Sequence, residues 1–216
     1  GSGIDLTLFD RSRVDEEARL RLRASWGAQP DSLVILTVGR YVRDKGYLEL
    51  AEAIPAVAAE VPNATFVWVA PVMTGESDVI PEDFLRKSGL ERLVTRIGMQ
   101  DQMALVYAAA DLLVHPSHRE GVPRVLMEAG ALGVPIIASD IPGNREVILS
   151  EDLGWIVPVR DAKSLARSIV SAALDPAARD SKARRLQEHV MAELSQVHVS
   201  QRVGVVYGRL GCRAKD

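Results

Sequence analysis

The chain is expected to fold as an α/β domain on a doubly wound parallel sheet of about six strands. Three observations predict it. From residue 32 onward, short apolar runs alternate with stretches whose apolar residues recur about every 3.6 positions. The short runs are apolar almost throughout, as strands buried on both faces must be. The composition, 47% hydrophobic and 25% charged over 216 residues, is that of a globular chain with a core of its own.

The elements follow in order. Ser32–Gly39 (SLVILTVG) reads as the first strand. Lys45–Glu60 reads as a helix, with Leu48, Ala51, Ile54 and Ala58 at helical spacing. Thr65–Ala70 is the second strand, and Glu82–Ser88 a helix closed by Gly89, a residue suited to a helix C-cap. Leu93–Gly98 is the third strand, Gln102–Ala110 a short helix and Leu112–His115 the fourth strand. Val122–Leu132 reads as a helix with Pro123 in its first turn, where a missing N–H costs nothing, and Gly133 at its end. Pro135–Ala138 and Trp155–Val159 complete the sheet. Helices over Ala162–Leu174, Pro176–Leu194 and Val197–Leu210 close the chain. Strands alternating with helices imply right-handed crossovers and a Rossmann-like domain over residues 31–175. Residues 3–30 form a lead-in segment and first helix, and residues 176–216 hold helices that pack on the domain or cross from it.

Composition excludes several classes. With 26 Lys and Arg against 29 Asp and Glu, the net charge is −3, and nothing global points to a nucleic acid or a membrane surface. The single cysteine, Cys212, allows no internal disulfide and fits a reducing, cytoplasmic setting. No apolar run approaches the 18 or so residues that span a bilayer. Gly1-Ser2 reads as a cloning remnant.

In open α/β sheets, ligands bind beyond the carboxyl ends of the strands. The loop after the first strand carries Gly39, Arg40 and Lys45. A cation at the start of a helix opposes the helix dipole, so two of them point to an anion held with help from backbone amides. Two surface cations partnered by Asp44 fit the same residues. G-x-G-x-x-G and the Walker pattern are both absent, which removes the best support for dehydrogenase and phosphate-loop kinase readings.

The loop after the fourth strand carries His118, Glu120, Gly121 and Val122, and Glu128 follows eight residues after Glu120. A carboxylate among Val, Leu, Met and Ala needs partners if it is buried, and sugar hydroxyls are suitable ones. Read singly, Glu120 also fits an acid near a helix N-terminus and Glu128 an exposed helix position. His115 and His118 lie near Glu120, but the spacing offers no third and fourth ligand, so no metal is expected. His118 fits a contact to a sugar or an uninvolved surface histidine equally well.

The combination is more specific than its parts. G-R-x4-K-G after the first strand, E-G-V-P-R-V-L-M-E-A after the fourth, and G-V-P-I-I-A-S-D-I-P-G-N-R-E-V-I around the fifth resemble the C-terminal domain of group 1 (family 4) glycosyltransferases of GT-B fold. The paired glutamates E-x7-E, Glu120 and Glu128, are the diagnostic part. Gly3-Ile4-Asp5-Leu6-Thr7-Leu8-Phe9 resembles the G-[IV]-D-x3-F segment that opens this domain, so the match runs from residue 3 to about residue 200. The relatives most similar in S-x-R-E-G-x-P-R-V-L-x-E-A are bacterial transferases that build surface polysaccharides.

The resemblance implies a nucleotide-sugar donor, usually UDP-linked. Arg40 and Lys45 would hold the diphosphate and stabilise the departing nucleotide, and with Glu120, in contact with the donor sugar, they would be the catalytic residues; Glu128 would take the ribose hydroxyls. Amides around Gly121 and Val122 would reach sugar or phosphate, and the base would lie near Ile97, Gly98 and Met99. It implies retention of anomeric configuration without an enzyme nucleophile, and no metal or other cofactor. The implied partners are the family's N-terminal domain, which this chain lacks, and a glycan or lipid-linked acceptor.

Two departures matter. Many members have E-G-F-G where this chain has Glu120-Gly121-Val122-Pro123, and Pro123 removes one amide donor. The chain also corresponds to the second domain alone, so it is expected to be half of an enzyme. Two other readings stay open: a UDP-sugar epimerase of the same architecture, and a non-catalytic nucleotide-sugar-binding module.

Overall fold

The structure, a computed structural model, describes residues 3–200. Six strands form one sheet: β1 (Leu33–Val38), β2 (Ala64–Val69), β3 (Val94–Ile97), β4 (Leu112–His115), β5 (Ile136–Ser139) and β6 (Trp155–Val157). All pair in parallel, in the order β3-β2-β1-β4-β5-β6. The order reverses between β1 and β4, and the crevice beyond their carboxyl ends is the switch point of a doubly wound sheet.

Eight helices surround it among the described residues: α1 (Glu16–Ser25), α2 (Tyr47–Glu60), α3 (Phe84–Lys87), α4 (Met103–Ala108), α5 (Arg124–Ala131), α6 (Pro142–Arg145), α7 (Ala162–Leu174) and α8 (Pro176–Glu193). Alternate residues of each strand face opposite cores. Leu33, Ile35, Phe66, Trp68, Leu112 and Val114 pack under α2 and α7. Val34, Leu36, Val67, Val69, Leu113 and Ile136 face a second core that includes residues of α4, α5 and α8. Both faces are buried, which explains the continuous apolar runs.

Buried polar contacts tie α1 to the sheet. Arg23 donates to Asp111 Oδ2 and the Ala109 carbonyl, each at 2.8 Å, and to the Ser32 carbonyl at 2.7 Å. The same Asp111 oxygen accepts from the Val34 amide at 2.8 Å. Ile4 pairs with the chain just after α8, through Ile4 N–H to the Leu194 carbonyl (2.9 Å) and Gln196 N–H to the Ile4 carbonyl (2.8 Å).

Several boundaries differ from expectation. The helix placed over Lys45–Glu60 begins at Tyr47, because Gly46 at φ +74° ends a separate 3-10 turn, Arg43–Lys45. Pro123 lies at the N-cap of α5, outside its first turn. The helix over Glu82–Ser88 contracts to Phe84–Lys87, and β6 ends at Val157. A further helix, α6, spans only four residues, too few for the sequence to show a helical period. Most of the helix expected over Val197–Leu210, together with Cys212, lies outside the described residues.

Candidate active site

Beyond β1 the chain turns at Gly39, whose carbonyl accepts from the Tyr47 hydroxyl at 2.8 Å. That bond holds the turn against α2. Gly46 then passes so close to the β4 loop that a Cβ there would stand 2.1 Å from the Pro116 carbonyl oxygen. Its positive φ and this approach both require glycine. The result is that the β1 and β4 loops touch, with Lys45 at the seam.

Lys45 meets Glu120 across that seam. Its Nζ contacts Glu120 Oε1, and both side chains are largely buried. The same oxygen accepts from Ser117 Oγ at 3.0 Å. His115, fully buried on β4, places Nε2 3.2 Å from Oε1 without the alignment of a hydrogen bond. Burial alone pushes the Glu120 carboxyl up, but the contacts of His115 and Lys45 overcome it and hold the group at about 2. Glu120 is therefore held as an anion, with the Lys45 amine and the Ser117 hydroxyl donating to Oε1 and the His115 ring beside it. It can accept a ligand hydroxyl but cannot serve as a proton donor.

The loop bearing Glu120 is fixed from below. Ser139 Oγ donates to the Ser117 carbonyl, and Asn144 Nδ2 donates to the Ser139 carbonyl at 2.8 Å. All three residues are buried. A Cβ on Gly143 would lie 1.9 Å from the Gly121 carbonyl oxygen, so α6 supports the Glu120-Gly121 turn by direct backbone contact. Ser117, Ser139 and Asn144 are not among the residues that the sequence singles out.

Arg40 projects from the β1 loop, half exposed, and pairs with Glu76. Asp44, which the alternative reading of two surface cations offered as their partner, binds Arg119 at 2.8 Å. Glu128 sits on α5 with its side chain 13% exposed, so it is not the exposed helix residue that it could have been. Tyr107 donates to its Oε2 at 2.9 Å, and Arg124 Nε lies 3.4 Å from Oε1. Burial and the neighbouring carboxylate raise the Tyr107 phenol well above its ordinary value, so it remains a donor.

His118 lies at the rim with both ring nitrogens engaged: Nε2 is 3.1 Å from Glu49 Oε1, and Nδ1 accepts from Arg160 Nε at 3.4 Å. Val122 is exposed beside Gly121. Ile97, Gly98 and Met99 close β3, two strands from β1 and so about 10 Å away. Met99 is 63% exposed there. Among the described residues no three His, Cys, Asp or Glu side chains cluster as metal ligands.

Cations and carboxylates on loops beyond the switch point suit a class of polar, charged ligands. Comparison with known proteins makes the class specific. Residues 18–189 match the family described as glycosyl transferases group 1, and the chain belongs to that family. It is 33% identical over 167 residues to TuaC of Bacillus subtilis, a glycosyltransferase whose name assigns it to teichuronic acid biosynthesis, covering 77% of this chain and 39% of TuaC. It is 28% identical over 182 residues to the capsular polysaccharide biosynthesis glycosyltransferase CapM of Staphylococcus aureus, covering 83% and 46%. The chain thus spans less than half the length of these relatives. Among solved structures, the sucrose-phosphate synthase of Thermosynechococcus elongatus superposes with a TM-score of 0.80 at 29% identity, over 99% of this chain and 52% of that one. Anabaena Alr3699/HepE, solved with UDP-glucose, gives 0.84 at 24% identity, over 96% and 56%. The fold is the doubly wound half of a GT-B glycosyltransferase. Among the described residues no helix is long and apolar enough to cross a membrane.

Proposed function

We propose that this chain is the donor-binding half of a retaining glycosyltransferase that takes a sugar from a UDP-sugar. The observation that carries the reading is the seam between the β1 and β4 loops beyond the switch point, where Lys45 meets Glu120, with Arg40 on the same β1 loop. UDP-glucose bound in HepE, a protein of the same fold, supports the choice of nucleotide.

In this reading Arg40 and Lys45 take the diphosphate. Negative charge builds on the leaving phosphate in the transition state, and cations already in place stabilise it without reorganisation. They supply that charge without a metal ion. Glu120 accepts from a sugar hydroxyl through Oε2, since its other oxygen is occupied. Glu128 accepts from the ribose hydroxyls, held in orientation by Tyr107. Gly121 and Val122 offer backbone amides, and Ile97 to Met99 provide a shelf for the base. Sugar transfer then requires the N-terminal domain that brings the acceptor, a glycan or lipid-linked sugar on the cytoplasmic side, so the isolated chain binds donor and turns over little.

The test is thermal unfolding with UDP-, GDP-, ADP- and TDP-sugars. A ligand at a hundred times its dissociation constant stabilises by about 2.7 kcal/mol. The reading expects UDP-sugars to raise the Tm most. No response to any nucleotide sugar would refute it.

A further inference from the structure

Arg40, the exposed member of the two cations, is already occupied. Its partner Glu76 lies on the connection between β2 and α3, 36 residues away in sequence. The base of that connection is laced to the β1 loop. Tyr41 N–H donates to the Pro71 carbonyl (2.9 Å), Ile80 N–H to the Tyr41 carbonyl (3.1 Å) and Arg43 N–H to the Asp78 carbonyl (3.2 Å), and Val42 bridges Val79. Between these ties, residues 72–77 form a flap that turns through Gly75 at φ +83°. The flap brings Glu76 inward: its side chain is 12% exposed, and Oε2 is buried without a hydrogen-bond partner. An orphaned carboxylate oxygen is costly, and the contact with Arg40 offsets part of that cost. Arg40, Glu76 and Arg119 border an open cavity of about 600 Å³.

We propose that Glu76 is an internal counter-ligand of the diphosphate site. Its carboxylate holds the place of a donor phosphate at Arg40 and must be displaced when donor binds. The inference rests on Arg40 being a diphosphate ligand. Glu76 then sets donor affinity and sharpens the preference for highly charged ligands, because a weakly charged one competes poorly for the guanidinium. Removing the charge at Glu76 tightens anion binding, an effect opposite to that of removing a ligand residue.

The experiment titrates pyrophosphate into the 216-residue chain and its variants by calorimetry, with uridine as an uncharged control and thermal unfolding to check each fold. Glu76→Gln preserves shape and removes the charge. Partly screened ion pairs correspond to small factors, so its pyrophosphate affinity rises about three- to tenfold while uridine is unaffected. Asp78→Asn changes net charge equally, but its partner is Arg43, at 3.4 Å. That variant leaves pyrophosphate affinity unchanged. In an Arg40→Ala background, Glu76→Gln has no effect. If Arg40→Ala weakens pyrophosphate but Glu76→Gln does not tighten it, the counter-ligand is refuted and the diphosphate site stands. Equal tightening by Asp78→Asn reduces the effect to a general field and also refutes it. If Arg40→Ala leaves pyrophosphate binding unchanged, the diphosphate reading and the inference fall together.

Discussion

Gly143 and Gly121 are in backbone contact: a Cβ on Gly143 would stand 1.9 Å from the Gly121 carbonyl oxygen and 2.5 Å from that of Glu120. The turn that presents Glu120 therefore rests on α6 with no room for a side chain between them. Gly143→Ala must displace either the turn or α6. Strain and overpacking of this kind cost about 1–3 kcal/mol, so the midpoint of urea unfolding falls accordingly. UDP affinity falls further than that of a surface control such as Glu52→Ala. Unchanged stability would show that the turn moves freely.

Glu120 makes acid stability a second test. Its carboxyl is held at about 2, below the usual 4.5. A depressed acid contributes stability that is complete above its unfolded value and is lost as pH falls through its folded value. The Tm advantage of the natural chain over Glu120→Gln therefore shrinks between pH 4.5 and 2. A gap that stays constant across that window would mean that Glu120 is not held as an anion by Lys45 and His115.

Asp111 joins α1 to the sheet by accepting from Arg23 and the Val34 amide. Removing Asp111 leaves the buried Arg23 without its counter-ion, but Asp111 itself is 33% exposed, so the loss is about 1–3 kcal/mol. Asp111→Ala is expected to cost that order in chemical denaturation. Donor affinity stays intact in whatever fraction remains folded, because this pair lies at the amino ends of the strands.

Tyr107 orients Glu128 from a buried position. Tyr107→Phe keeps the ring and removes the donor, so UDP affinity weakens about three- to tenfold, as for the loss of one modest hydrogen bond. Pyrophosphate affinity is unchanged, since in the proposed reading the diphosphate is held by Arg40 and Lys45 and not by Glu128. Equal weakening of both ligands would point to a general disturbance of the α4 and α5 packing.

The sheet was legible because a strand buried on both faces leaves an unmistakable apolar run, as Leu33–Val38 and Phe66–Val69 do. Motif spacing likewise singled out Lys45 and Glu120, which meet although 75 residues apart. Other features depend on which loops touch, and no local pattern carries that. The sequence offered Asp44 as a partner for Arg40 because it is near in the chain, whereas the fold supplies Glu76 from the next crossover. Ser117, Ser139 and Asn144 resemble ordinary loop residues until the β4 and β5 tips are placed side by side. Glu128 looked exposable because its helix turns its apolar residues inward, and Tyr107 on the neighbouring helix covers it.

The central claim is that one part of this crevice grips a diphosphate and another a ribose, and calorimetric titration of two variants with two ligands tests it most directly. Glu128→Gln keeps the shape but weakens hydrogen bonds to a charged acceptor, so UDP affinity falls about ten- to a hundredfold while pyrophosphate affinity is almost unchanged. Arg40→Ala weakens both ligands. If Glu128→Gln binds UDP as the natural chain does while remaining folded, the carboxylate serves the packing of α4 and α5 alone, and the ribose assignment is wrong.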